Sequence, residues 1–148
     1  MNYFLPDVDY YNRIYRQDQQ LFQDINKAIN AKFSAIHYYT RLAEIAPNEP
    51  FRQYILAIRQ DEINNYGNFS NAYFELTKQY PLVSNAIDLP KDYKQGIRKS
   101  IKAERQTAPF YIDIAQRISN PNIKGVFIKA ANDEHRHYQI FSNLNSYL

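Results

Sequence analysis

Asp133-Glu134-His135-Arg136-His137-Tyr138, with Phe141 one turn further on, is the stretch on which the reading of this chain turns. A glutamate and a histidine at i and i+3 share one face of a helix, so Glu134 and His137 can grip the same cation. Alone, such a pair carries little weight, because it arises often by chance. The rest of the chain gives it weight. Seventy-two residues upstream, Asp61-Glu62, Asn65-Tyr66 and Phe69 stand in register with Asp133-Glu134, His137-Tyr138 and Phe141. The same shift carries Lys32 onto Glu104 and Tyr39 onto Tyr111. A two-helix unit with 30 residues between its first and second polar positions is written twice, which implies a pseudo-twofold axis through those positions.

Three glycines and well-separated prolines predict long helices. Breaks at Ala46–Pro50, Tyr80–Pro90 and Ser119–Pro121 each offer a capping side chain with proline close to the first turn, where its missing N–H costs nothing. The helices expected are 18–46, 50–79, 91–118 and 121–146, preceded by a tyrosine-rich arm, 1–17. Residues 18–148 form one four-helix bundle. Apolar residues recur in alternating three- and four-residue steps on all four, as in Ile25, Ile29, Ile36 and Ala43, or Ile123, Phe127, Ala130, Phe141 and Leu144. Each stripe turns polar near its midpoint, at Lys32, at Glu62 and Asn65, at Glu104, and at Glu134 and His137, with half-polar Tyr39 and Tyr111 alongside. Antiparallel packing brings these to one level. With the axis perpendicular to the bundle, the second and third helices run parallel. Residues 80–90 must then span the bundle's length, and eleven extended residues reach about 36 Å.

Composition narrows the function classes. The absence of cysteine excludes disulfides, thiolate catalysis and Cys-ligated metal or iron–sulfur sites. Eighteen basic against fifteen acidic residues, with no basic block, argue against nucleic acid as a partner. No apolar run approaches a membrane span, and Asp7 and Asp9 stand where a secretory leader would be basic and then apolar. A cytoplasmic protein is expected, with spore association as the alternative. Asparagine and tyrosine richness hints at a low-GC bacterium.

The order Glu, E-x-x-H, Glu, E-x-x-H at matched spacing resembles the ferritin-like di-iron carboxylate proteins, closest to the small rubrerythrin-type members, over about residues 18 to 146. The resemblance implies an all-α ferritin-like bundle with its metals in the polar layer. It also exposes a break. Lys32 stands where the family has its first glutamate, and Asn65 where it has its first histidine. Glu62, Glu104, Glu134 and His137 fit the pattern. Four carboxylates balance two divalent ions. Three carboxylates and one ammonium leave −2, which one ion balances, and an uncompensated buried charge costs several kcal/mol.

The resemblance thus leads to a divergent protein holding at most one divalent ion, iron, manganese or zinc, with Lys32 standing where the second would sit and no two-metal oxidase chemistry. In the metal-free alternative, Lys32 pairs with Glu62 and with Glu104 or Glu134, and a proton on a carboxylate or on His137 closes the balance. A rubrerythrin-type oxidase, peroxidase or iron-binding protein is the alternative function. A structural or spore-coat assembly protein using only the scaffold is another.

Asp61, on the opposite hairpin, is placed to orient His137 or else to be a solvated flank residue. Tyr39 and Tyr111 are expected to be core tyrosines whose hydroxyls find a carboxylate or carbonyl, with donors to the metal-holding residues or redox-active groups as the alternative. His37 and His135 fall off the stripes, and Pro109 should bend the third helix. The arm, with Tyr3, Tyr10, Tyr11 and Tyr15, is expected to cover the bundle, with self-association as the alternative. No partner beyond a homo-oligomer is indicated.

Overall fold

A computed structural model of the chain describes residues 7–84 and 86–148. Four helices account for most of them: α1 Val8–Glu44, α2 Glu49–Thr77, α3 Tyr93–Gln116 and α4 Pro121–Asn145. There is no strand among the described residues. The chain is an all-α four-helix bundle.

The starts of α2 and α4 lie within a residue of those the sequence marks, and α3 starts two residues later than the expected 91, capped by Asp92. Asn48 accepts from the Phe51 amide at 2.9 Å, Asp92 from Gln95 at 2.8 Å, and Asn120 from Asn122 at 2.9 Å, with prolines in the first turns of α2 and α4. α2 ends on Lys78 in the left-handed region, φ 60°, its amide donating to the Phe74 carbonyl at 2.8 Å. Pro109 lies within α3 and does not end it.

The start of α1 departs from expectation. It lies at Val8, ten residues before the expected 18, with Asp7 as its cap, accepting from the Asp9 amide at 3.0 Å. No glycine or proline separates Asp7 from Pro47, so nothing stops the helix from running outward. Residues 8–17 of the arm are therefore the first turns of α1. They are exposed and do not cover the bundle. Met1 to Pro6, with Tyr3, lie outside the described residues.

α1 packs most extensively on α2, and α3 on α4; α2 also meets α4, and α1 meets α3. Two apolar clusters result. One joins Leu21–Ile29 of α1, Phe69 and Ala72, Tyr111–Ile118, and Ile123–Ala131. The other joins Tyr39–Ala43, Ile55 and Ile58, Ile97, and Phe141 and Leu144. α2 and α3 both run from the second cluster towards the first, so they are parallel. Their connection travels alongside α1. Near its start the Leu82 and Ser84 amides donate to the Asn26 and Asn30 side chains at 3.0 and 2.7 Å. Near its end Asp88 and Pro90 lie beside Tyr38 and Gly96.

Gly96 marks a close approach. A Cβ there would stand 2.5 Å from Leu42 Cδ1 and 3.2 Å from Pro90 Cβ, whereas one on Gly67, midway along α2, would meet nothing within 4 Å. Gly67→Ala should therefore stabilise the fold by about 0.5–1 kcal/mol through helix propensity. Gly96→Val should destabilise it by about 1–3 kcal/mol through overpacking. Thermal unfolding of the two variants checks both signs.

Candidate metal centre

Between the apolar clusters lies a buried polar layer: Lys32, Glu62, Asn65, Glu104, Asp133, Glu134 and His137, none more than 4% exposed. All four helices contribute. The heptad phase that buries Ile25 and Ile29 also buries Lys32, two turns along, because the backbone has no other face to offer the centre.

Lys32 is the hub. Its Nζ donates to Glu62 Oε2 at 2.6 Å and to Glu134 Oε1, and sits 4.9 Å from the centre of the Tyr111 ring. Burial opposes the ammonium, but Glu62, Tyr111, Glu134 and Glu104 outweigh it and hold its pKa well above the usual lysine range. Thr107, one turn beyond Glu104, donates to Glu134 Oε2 at 2.5 Å. Tyr39 donates to Glu104 Oε1 at 2.5 Å. Tyr111, by contrast, has no hydrogen-bond partner for its hydroxyl; its ring rather than its oxygen serves Lys32.

Besides Asn65 Oδ1, three polar atoms of the layer remain. Glu62 Oε1, Glu104 Oε2 and His137 Nδ1 are buried and make no hydrogen bond. They converge: Nδ1 lies 3.2 Å from Glu62 Oε1 and 3.5 Å from Glu104 Oε2. One ligand atom each from Glu62, Glu104, Glu134 and His137 all fall within 4.8 Å of one another. Buried polar atoms without partners are rare, and two carboxylate oxygens facing an imidazole nitrogen are the donor set of a divalent iron, manganese or zinc ion. The residues present fit one such ion.

Without a metal, protons do its work. Burial pushes Glu104 up to about 7, with Glu134 adding to the rise and His137 and Lys32 opposing it. Burial would lower the His137 pKa, but the Glu104 and Glu62 carboxylates outweigh it and push it up to about 10. A proton on His137 would face Glu62 and Glu104, and Lys32 takes Glu134 rather than Glu104 as its second partner.

The outer face of His137 is also fixed. Its Nε2 is 2.9 Å from Asp61 Oδ2, across the α2–α4 interface. That contact leaves Nδ1 as the inward nitrogen. In the other half of the layer, Asn65 Nδ2 donates to Asp133 Oδ2 at 3.0 Å. One guanidinium, Arg136, donates to Asp61 at 2.6 Å and Asp133 at 3.2 Å, and Lys129 donates to Asp133 at 2.9 Å. Against the effect of burial, Lys129, the Asn65 amide and Arg136 hold the Asp133 carboxyl below the usual range.

Every residue the sequence singled out for the layer reaches it, Asp61 and Asp133 at its rim. His37 and His135 are exposed, as expected. Thr107 and Arg136 were not foreseen. Thr107 carries a signal, since it follows Glu104 by three residues and so shares its face. Arg136 sits off the core stripe, and only the facing α2 reveals its role.

An antiparallel four-helix bundle with a long crossover and a buried glutamate–histidine layer defines a ferritin-like protein. The chain belongs to the rubrerythrin family, whose sequence model matches residues 24–145. It is 38% identical over 123 residues, 83% of this chain and 85% of the relative, to YhjR, an uncharacterised protein of Bacillus subtilis (strain 168). Two solved structures share its fold, each with a TM-score of 0.76. A hypothetical protein of Pyrococcus furiosus is 19% identical, with 85% of this chain and 88% of that one covered. A Desulfovibrio desulfuricans bacterioferritin with a diiron site is 16% identical, with 89% and 81% covered. No helix among the described residues is long and apolar enough to cross a membrane.

Proposed function

We propose that this rubrerythrin-family chain holds one divalent ion through Glu62, Glu104, Glu134 and His137, and that Lys32 has replaced the second ion of a two-metal centre. The observation that carries this reading is the contrast within one layer. On the Lys32 side every charge is matched by a short hydrogen bond. On the His137 side Glu62 Oε1, Glu104 Oε2 and Nδ1 have only one another, at 3.2 and 3.5 Å, and no well-formed hydrogen bond. Asp61 fixes the imidazole, as carboxylates beside metal-bound histidines do. When bound, the ion would supply Lewis-acid or single-site redox chemistry. Two-metal oxidase chemistry needs a second ion where Lys32 Nζ lies.

Elemental analysis after loading with ferrous, manganous or zinc ion should find about one ion per chain, matching the one-for-one charge balance of the layer. Glu134→Ala and His137→Ala should each abolish retention while the bundle stays folded. Two ions per chain would overturn the reading. Retention unaffected by either variant would move the ion elsewhere. No retained ion would leave the scaffold with Lys32 and protonated His137 as its permanent charge balance.

Affinity should also rise with pH. The ion displaces a proton held on His137 up to about 10 and one on Glu104 held up to about 7. Each proton released contributes about tenfold per pH unit. Raising pH through neutrality should therefore tighten binding. An affinity flat across that range would mean that His137 carries no proton to lose.

A further inference from the structure

Fifteen residues, Lys91 to Arg105, hold six of the chain's eighteen basic residues: Lys91, Lys94, Arg98, Lys99, Lys102 and Arg105. Of the two acids in that segment, Asp92 caps α3 and Glu104 is buried in the polar layer. From Lys94 to Arg105 the surface of the helix therefore carries no carboxylate of its own. Along the chain these cations are scattered, and only Arg98 and Lys99 adjoin. The helix collects them. At 100° per residue Lys94, Arg98, Lys102 and Arg105 fall within an arc of about 80°, in a row about 16 Å long. All four are exposed, and so is Lys91 just ahead of the cap. Ile97, Ser100, Glu104 and Ala108, the buried residues of the same turns, face the other way.

The row is also unpaired, unlike the rest of the surface. Arg41, Arg52, Arg117 and Arg136 meet carboxylates at 3.0, 3.7, 2.8 and 2.6 Å. Among the described residues, Lys91, Lys94, Arg98, Lys102 and Arg105 meet none within 4.0 Å. Lys99, to one side, reaches Asp88 at 3.8 Å with both side chains exposed. Like charges three and four residues apart work against a helix. Here nothing in the described residues offsets them, so the charge is left for something outside the chain.

We infer that the outer face of α3 binds the phosphate backbone of a double-stranded nucleic acid, whatever its sequence. A duplex carries one negative charge per about 1.7 Å of its axis, so a row of this length faces about nine phosphates. Arg98 and Arg105 can take phosphate oxygens in pairs, and the lysines act as point charges. The net charge of +3 is too small to draw a polyanion by itself, but the local field of six clustered cations is not. The other exposed residues between Lys94 and Gln106 are Gln95, Lys99 and Ala103. They offer no aromatic ring on which an unpaired base could stack and no large apolar side chain to enter a bilayer. Duplex phosphates thus fit the face better than a single strand or a membrane.

Fluorescence anisotropy of a labelled DNA duplex titrated with the full chain reads the interaction. Raising salt from about 50 to about 200 mM should weaken binding about 100-fold, as for four phosphate contacts, and equally for an unrelated sequence. Arg98→Glu with Lys102→Glu and Arg105→Glu should abolish binding while helical content stays unchanged. Arg13→Glu with Arg16→Glu and Lys78→Glu alters net charge equally away from α3, and at about 100 mM salt should bind within about tenfold of the parent. Arg98→Gln alone should lower the salt slope by about one. No duplex binding at about 50 mM salt, or equal loss in the two triple variants, would overturn the inference. Tighter binding to the single strand, or to phosphatidylglycerol vesicles than to the duplex, would overturn it too, assigning the row to a different anionic partner.

Discussion

Lys32→Met should lower the melting temperature by about 10 °C or more. The methionine fills nearly the same space, so the loss is electrostatic. Lys32 Nζ is the shared donor to Glu62 Oε2 and Glu134 Oε1, both 1–2% exposed. Removing one partner of a buried ion pair costs about 3–5 kcal/mol, because the charge left behind is desolvated and unpaired. In a domain of this size each kcal/mol moves the midpoint by roughly 2–4 °C. The variant should recover much of the loss when a divalent ion is added, since an ion can take the ammonium's place between the same oxygens. A melting temperature within a degree or two of the parent would mean that Glu62 and Glu134 share a proton in the native protein. Loss without metal rescue would mean that the vacated position does not accept an ion.

Lys32→Glu combined with Asn65→His should raise metal uptake from about one to about two ions per chain. The layer is prepared for it. Asp133 already holds the Asn65 side chain at 3.0 Å, as Asp61 holds His137 at 2.9 Å, so a histidine at 65 meets an orienting carboxylate. A glutamate at 32 completes four carboxylates, whose −4 charge two divalent ions balance. The metal-free variant should be strongly destabilised and the loaded one stable, so unfolding should become metal-dependent. Elemental analysis and melting with and without metal read both effects. Uptake that stays at one ion in a folded variant would remove Lys32 from the second-ion position. Lys32→Glu alone separates the two substitutions. Lacking the second imidazole, it should bind its extra ion more weakly than the double variant does.

Much of this was legible in the residues. Helix starts follow from Asn48, Asp92 and Asn120 with their neighbouring prolines, because capping is a local interaction. The bundle follows from stripes whose three–four spacing leaves one buried face. The 72-residue register placed Lys32 among the glutamates, since residues at matched heptad positions must share a level once helices pack. Asp61 was readable as a candidate partner of His137 for the same reason.

The tertiary structure decided what depends on two side chains meeting. Which carboxylate Lys32 takes, and hence which atoms are left for a metal, is set by rotamers and by Thr107 holding Glu134. Arg136 joining Asp61 to Asp133 depends on the α2–α4 interface, which no local pattern encodes. The outer end of α1 is the plainest case. The expected start at residue 18 missed that nothing between Asp7 and Pro47 breaks a helix, and where α2 stops beside α1 is a matter of packing. Only that stop leaves Val8 to Tyr15 without neighbours and turns a continuous helix into an exposed surface.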